Sequence, residues 1–129
     1  AFASNAASQL GALGVILEAP LSTFLDAVRQ QAGHVPAWLI RTRFDNKARV
    51  AELRAPILLM AGGRDSVTPA WFAYALAAAN EPFARVHVFE DANHFSIVRH
   101  GGREAVAAFL DEIGERMAAE TPAAAMPEI

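Results

Sequence analysis

Residues 56–69 read PILLMAGGRDSVTP, and this stretch predicts the carboxyl end of a buried parallel strand. Residues 57–60 are apolar without interruption, which is typical of a strand that helices cover on both faces. Gly62 and Gly63 allow a sharp turn at the edge where open α/β sheets place their functional groups. Asp65 follows in this loop. It is either a catalytic carboxylate or an organiser of its own loop, because Asp readily bonds nearby backbone N–H groups.

Two further segments have the character of strands. Residues 15–17, VIL, form a short apolar run that ends before Pro20. Residues 85–89, RVHVF, alternate between apolar and polar side chains, as in a strand with one better-buried face at the edge of a sheet. Because helical segments separate the three strands, we predict an α/β fold in which a short parallel sheet of about three strands lies between helices.

Helices are predicted around the strands from their caps and their apolar spacing. Ser22 or Thr23 caps one helix, with Asp26 in capping-box register to Thr23. Asp45 and Thr68 are expected to cap two others. The predicted helices are residues 1–13, 22–33, 45–53, 68–79 and 103–119, with a brief apolar turn at 36–40.

Two of these helices are expected to bury a clear apolar face. In the helix after Thr68, the buried face comprises Trp71, Phe72 and Leu76. The last helix carries a continuous apolar stripe, which comprises Val106, Phe109, Leu110, Ile113 and Met117.

The composition indicates one globular domain. Of the 129 residues, 53% are hydrophobic and 19% are charged, which is typical of a packed core. We expect the domain to span residues 1–119 and a flexible tail to follow at 120–129, where two prolines interrupt any periodicity. The net charge of −3 and a pI near 5.8 argue against nucleic acid as a partner.

The sequence says little about the cellular compartment of the protein. There is no cysteine, so neither a disulfide nor a thiolate metal site is predicted. No apolar run approaches the roughly 20 residues that span a bilayer. The chain starts without methionine or a positively charged leader, so no signal peptide is visible, and either a processed form or a fragment is compatible with it. By default we expect a soluble, cytoplasmic protein.

Asp65 and His94 lie in the loops that leave two of the predicted strands. Because parallel strands bring their carboxyl ends to one edge of the sheet, we expect the two side chains to share that edge. A carboxylate that accepts from one imidazole nitrogen fixes the tautomer, and the other nitrogen can then take a proton from a nucleophile. Taken alone, His94 is most simply a loop histidine bonded to backbone. The pair with Asp65 favours an acid–base role.

A metal site is the other chemistry that the histidines suggest. His94 has neighbours in sequence that can ligate metals: His87, Glu90, Asp91 and His100. Their spacing matches no familiar zinc pattern. We therefore predict neither a metal nor a cofactor.

The strands and their loops also resemble a known family. The resemblance covers about residues 14–113 and is carried by GVILEAP at 14–20, RFDNKARVAELRAPILLMAGGRDSVTP at 43–69 and ARVHVFEDANHF at 84–95. These stretches are similar to the C-terminal half of an α/β-hydrolase, in the small-esterase branch related to dienelactone hydrolases and prolyl oligopeptidases. The resemblance implies a truncated three-layer sandwich. It also implies that Asp65 is the acid and His94 the base of a Ser–Asp–His triad.

The sequence departs from this family at the nucleophile. The family's serine stands in Gly-x-Ser-x-Gly, beside the amides of an oxyanion hole, and this chain has no such pentapeptide. By the family's spacing that serine would fall just before Ala1. Ser4 is the first candidate for the nucleophile because it is expected to lie nearest the end of the sheet that carries Asp65 and His94, and Ser66 beside the acid is the alternative. Ser8 and Ser96 are also within the range of candidates. Each is otherwise a surface or capping serine.

The resulting hypothesis is a carboxylic ester hydrolase that acts on small esters. Asp65 and His94 would be its acid–base pair, with a non-standard or partner-supplied serine. The alternatives are an inactive remnant that folds and self-associates, and one half of a split hydrolase. In the family the strand at 15–17 is flanked by the nucleophile strand, so its edge would be open here. We expect homo-oligomers through this edge or through helix 1–13, and no nucleic acid or membrane partner.

Overall fold

The computed structural model describes residues 11–33, 36, 38 and 45–120, apart from the side chain of Phe24. Three strands form one parallel sheet: β1 (Val15–Glu18), β2 (Ile57–Gly62) and β3 (Ala84–Phe89). Their order is β1-β2-β3, so β2 is central and β3 is an edge strand, as its alternating sequence predicts. The predicted α/β fold with a short parallel sheet is confirmed.

Four α-helices and a short 3₁₀ turn accompany the sheet in the described part of the chain. The helices are α1 (Phe24–Ala32), α2 (Asn46–Glu52), α3 (Ala70–Ala78) and α4 (Gly102–Glu120), and the 3₁₀ turn is Val98–His100. Residue 120 is the last described residue. Residues 1–10 of the predicted helix at 1–13, most of the turn at 36–40 and most of the tail at 120–129 therefore lie outside the described residues. Residues 11–13 are described and are not helical, because Gly11 has a φ of 64° and lies in a turn.

The sheet has a core on each face, because successive side chains of β2 point to opposite sides. Ile57, Leu59 and Ala61 pack with residues of α2 and α3 in one cluster. Leu58 and Met60 pack in a second cluster with residues around α4. All six residues of β2 are buried, which explains why its sequence is apolar without alternation.

Two of the predicted helix caps form as expected. The Thr23 hydroxyl accepts from the Asp26 N–H at 3.0 Å, so Thr23 rather than Ser22 caps α1. The Ser22 hydroxyl instead donates to the Asp26 carboxylate at 2.6 Å. Asp45 caps α2, because its Oδ1 accepts from the Ala48 N–H at 3.1 Å.

The structure corrects the cap of α3 and the buried faces of two helices. Pro69, which has no polar side-chain atom, occupies the N-cap of α3, and the Thr68 hydroxyl bonds to the Asp65 carboxylate instead of capping the helix. Trp71 is 46% exposed. Since α3 is apolar on nearly every side, only the side with Phe72 and Leu76 reaches the sheet. In α4, Leu110 is 57% and Met117 46% exposed, so the part of the predicted stripe that packs on the core comprises Val106, Phe109 and Ile113.

None of the described helices is long and apolar enough to cross a membrane.

Candidate functional site

The loops that follow β2 and β3 are joined by backbone hydrogen bonds at the carboxyl edge of the sheet. The Gly63 N–H donates to the Phe89 carbonyl at 2.8 Å, and the Arg64 N–H donates to the Ala92 carbonyl at 2.9 Å. The first loop carries the predicted acid and the second carries the predicted base. Their backbones are thus held against each other independently of either functional side chain.

Gly62 and Gly63 make this close approach possible. A Cβ atom at Gly62 would lie 2.5 Å from the Ala92 carbonyl oxygen, and one at Gly63 would lie 2.5 Å from the Glu90 carbonyl oxygen. Neither glycine is among those with positive φ in the described chain. Glycine is therefore needed here because neighbouring backbone fills the space of a side chain, and not because the turn is left-handed.

The Asp65 carboxylate is wholly buried and accepts hydrogen bonds on both oxygens. Its side chain is 0% exposed. Oδ1 accepts from the N–H groups of Val67 and Thr68, each at 2.8 Å. Oδ2 accepts from the Thr68 hydroxyl at 3.0 Å and lies 2.8 Å from His94 Nδ1. Asp65 therefore organises its own loop through Val67 and Thr68. It also contacts His94, a contact that a catalytic acid–base pair would need.

These contacts decide the charge of Asp65. Burial alone would raise the pKa of the carboxyl group, because it penalises the charged form. Hydrogen bonds from the Thr68 N–H, His94, the Thr68 hydroxyl and the Val67 N–H outweigh burial and hold the pKa of Asp65 below its ordinary value. Asp65 is therefore an ionised acceptor at neutral pH.

The charge of Asp65 in turn fixes the tautomer of His94. An ionised carboxylate only accepts hydrogen bonds, so Nδ1 of the neutral imidazole carries the proton and Nε2 carries the lone pair. Nε2 has no hydrogen bond to any described residue, and the side chain is 27% exposed. A lone pair that faces outward from an oriented imidazole is the arrangement that a general base requires.

A tight turn supports His94 in its loop. The Ser96 hydroxyl accepts from the Asn93 N–H at 2.9 Å. The Asn93 side chain accepts from the Phe95 N–H at 3.0 Å. Phe95 is 85% exposed and lies edge-on to the imidazole, with ring centroids 5.0 Å apart. An apolar ring therefore stands in solvent directly beside the candidate base.

No described serine is hydrogen-bonded to the His94 side chain. Ser66 is exposed in the loop after Asp65, and no hydrogen bond joins it to His94. Ser96 is buried and its hydroxyl closes the turn just described. Ser4 and Ser8 lie outside the described residues. The catalytic role of each of these serines stays a prediction.

Thr68 is a member of the site that the sequence did not reveal. Its hydroxyl lies 3.0 Å from Asp65 Oδ2, 3.1 Å from His94 Nδ1 and 3.2 Å from the carbonyl oxygen of Ala19. From the sequence alone, a Thr before Pro69 reads as a helix cap. The spacing of three residues from Asp65 was the available signal, because Asp side chains often accept from the N–H three residues on.

Within residues 11–33 and 45–120, no three His, Cys, Asp or Glu side chains form a group that could hold a metal ion. The histidines near His94 are engaged elsewhere. The His87 ring stacks on Phe89 with centroids 4.2 Å apart. His100 Nδ1 lies 2.8 Å from the Ser96 carbonyl oxygen.

The fold of this chain is similar to that of an esterase, Pf2001 of Pyrococcus furiosus, in three crystal forms. The TM-scores are 0.62, 0.60 and 0.63, with sequence identities of 18%, 16% and 16%. Each comparison covers 88% of this chain and 48% of the esterase, so this chain spans about half the length of that protein. No protein-family model matches the sequence, and no curated protein matches it. At this identity the likeness shows an esterase-like α/β fold.

Proposed function

We propose that this chain carries the acid–base pair of a serine-type carboxylic ester hydrolase that acts on small esters. The observation that carries the proposal is the 2.8 Å contact between His94 Nδ1 and the buried Asp65 carboxylate. It leaves the basic nitrogen facing outward at the carboxyl edge of a parallel sheet, where α/β proteins hold their active sites. The esterase-like fold supports the same class of reaction.

The pair would take up one proton and release it again in each of two half-reactions. Nε2 of His94 takes the hydroxyl proton of a serine as its oxygen attacks the ester carbonyl, while Asp65 stabilises the resulting imidazolium. The same proton then passes from Nε2 to the departing alcohol, which leaves an acyl-serine. Water then attacks the acyl group while His94 Nε2 takes a proton from it, and Nε2 returns this proton to the serine oxygen as the acyl–oxygen bond breaks, which releases the carboxylic acid and regenerates the serine. The exposed ring of Phe95 is placed to contact the apolar part of a small ester.

The ester assay tests this role directly. His94→Ala should lower the rate of p-nitrophenyl acetate hydrolysis at least about 100-fold, since general-base catalysis contributes factors of this order. His87→Ala is the matched control, because His87 is exposed on β3 and its ring stacks on Phe89 rather than contacting Asp65. It should hydrolyse at the wild-type rate. Equal rates in wild type and His94→Ala would mean that the pair does no catalysis.

The nucleophile is proposed to be Ser4, with Ser66 as the alternative. A fluorophosphonate reacts covalently with an activated serine, so peptide mass spectrometry of the labelled protein identifies the residue. Labelling should depend on His94, because the base activates the serine. Ser4→Ala should abolish both labelling and turnover if Ser4 is the nucleophile, and Ser66→Ala should do so for the alternative.

The half-length coverage of the esterase favours a second candidate, in which another polypeptide segment supplies the nucleophile. In that case the isolated chain hydrolyses no ester and gains activity when the partner segment is added. The DNA just upstream of the codon for Ala1 shows whether a segment with Gly-x-Ser-x-Gly is encoded there. An inactive chain that no such segment restores would instead be a remnant that only folds.

A further inference from the structure

Thr68 donates a hydrogen bond to each oxygen of the buried Asp65 carboxylate. Its backbone N–H donates to Asp65 Oδ1 at 2.8 Å, and its hydroxyl donates to Oδ2 at 3.0 Å. No other described residue bonds both oxygens: Val67 reaches Oδ1 and His94 reaches Oδ2. Rotation of the carboxylate about its Cβ–Cγ bond would therefore break at least one of the two hydrogen bonds from Thr68, which together form a clamp on Asp65. The clamp sets the direction in which Oδ2 faces the imidazole.

The hydroxyl of Thr68 is poorly placed to be the nucleophile itself. It faces Nδ1 of His94 at 3.1 Å, and Nδ1 already carries the proton that Asp65 accepts. A nucleophile must instead give its proton to Nε2. Thr68 is also buried. Its contacts therefore suit a residue that orients the pair rather than one that reacts.

The carbonyl group of Ala19, at the end of β1, is a second acceptor for the same hydroxyl, whose single proton is shared between Asp65 Oδ2 and Ala19. The Ala19 carbonyl oxygen lies 3.2 Å from Thr68 Oγ1, and the Ala19 N–H donates to the Met60 carbonyl at 2.8 Å. Ala19 has φ of 45°, and it is the one residue other than glycine with positive φ in the described chain. Such a backbone is unfavourable for alanine and persists where the surroundings enforce it. Here it aims a carbonyl group at Thr68.

From these contacts we propose that Thr68 is a positioning residue, which ties the end of β1 to Asp65 and holds His94 in its Nδ1–H tautomer. The consequence for turnover rests on the proposed function, whereas the tautomer does not. In Thr68→Val a methyl group replaces the hydroxyl 3.0 Å from Oδ2. A carbon atom needs more room than this and cannot donate a hydrogen bond. Oδ2 is therefore pushed away from the methyl group and loses one of its two donors, so it no longer faces His94 Nδ1 as it does in the wild type.

The tautomer is measured by ¹⁵N and ¹H NMR of the imidazoles without any substrate, and His94→Ala assigns the His94 signals. Wild type should give a protonated Nδ1 whose proton exchanges slowly and shows a cross-peak to Thr68. Thr68→Val and Thr68→Ala should lose this protected signal, and Thr68→Ser should keep it. The matched control is Thr23→Val, which removes a hydroxyl that caps α1 and so lowers stability without touching His94.

If the ester assay detects turnover, Thr68→Val should lower kcat roughly 10- to 100-fold at unchanged KM, as expected for a lost hydrogen bond to a charged group. Thr68→Ser should recover most of the rate. The protected Nδ1–H signal persisting in folded Thr68→Val would overturn the proposal, as would a wild type without a cross-peak between this proton and Thr68. Loss of the signal in a protein that hydrolyses no ester would support the positioning role and defeat only the proposed reaction.

Discussion

Asp65 is a buried anion that hydrogen bonds, rather than a lysine or arginine, keep charged. Its four described donors are two backbone N–H groups, one hydroxyl and one imidazole N–H. The neighbouring cation, Arg64, instead pairs with Asp91 at 3.1 Å on the surface. An ionised carboxylate can only accept hydrogen bonds, and these four donors therefore favour the ionised form of Asp65 over the protonated form. The negative charge is thus available to an imidazolium that forms at His94.

The lowered pKa of Asp65 predicts a loss of stability in acid. A carboxyl group whose pKa is lower in the folded than in the unfolded protein stabilises the fold fully above its unfolded pKa. This contribution is lost as the pH falls from about the ordinary value of 3.8 through the folded pKa. Wild type should therefore lose stability below about pH 4 in urea titrations. Asp65→Asn should be less stable at pH 7, by roughly 1–3 kcal/mol. Its free energy of unfolding should also fall less steeply below about pH 4, in the acid limb of the stability curve.

The matched control for this titration is Asp26→Asn. Burial would raise the pKa of Asp26, but hydrogen bonds from Ser22 and Thr23 and the charge of Lys47 lower it. Asp26→Asn should therefore also flatten the acid limb, while the His94 NMR signals stay as in wild type. Identical acid profiles for wild type and Asp65→Asn would contradict the assignment of this limb to Asp65.

At the scale of elements, the sequence predicts what local pattern and strand order determine. An uninterrupted apolar run identifies β2. The caps Thr23 and Asp45 are identified because each is a residue type that accepts from the N–H three residues further on. Parallel strand order alone brings the loops of Asp65 and His94 to one edge. The spacing of three residues between Asp65 and Thr68 indicates a carboxylate partner, but it does not exclude a helix cap, so the sequence did not decide the role of Thr68.

The two glycines after β2 give a prediction at the same scale. Gly62→Ala places a Cβ 2.5 Å from the Ala92 carbonyl oxygen, and that atom belongs to backbone that cannot swing away. The loops of the acid and the base must then separate, and the free energy of unfolding should fall by roughly 1–3 kcal/mol or more, as for other overpacked sites. Urea denaturation measures this loss.

Gly114→Ala is the matched control for Gly62→Ala. Gly114 lies inside α4, and nothing stands within 4 Å of where its Cβ would be. Alanine is favoured over glycine in a helix by about 1 kcal/mol, so this variant should be slightly more stable than wild type. A Gly62→Ala protein as stable as Gly114→Ala would show that the two loops do not need their close approach.

At the scale of the whole molecule, the outer edge of β1 is open among the described residues. The Val15 N–H donates to the carbonyl of Pro56, just before β2, at 2.9 Å, and the Ala19 N–H donates to the carbonyl of Met60 in β2 at 2.8 Å. Since backbone groups alternate in direction along a strand, those of Ile16 and Glu18 point away from the sheet. No described strand pairs with that side. A cavity of about 300 Å³ and another of about 420 Å³ are both lined by Ile16 and Glu18.

We predict that a second copy of this chain pairs with this edge, because an open strand edge is complementary to itself about a two-fold axis. Glu18→Pro removes one outward N–H but no hydrogen bond to β2, and Glu18→Ala keeps that N–H while removing the same carboxylate. In sedimentation and light scattering at micromolar concentration, wild type and Glu18→Ala should form dimers. Glu18→Pro should dissociate at concentrations about tenfold higher, since one hydrogen bond is lost on each side of the axis. A strictly monomeric wild type would contradict the prediction, and equal dimerisation of Glu18→Pro and Glu18→Ala would move the interface away from β1.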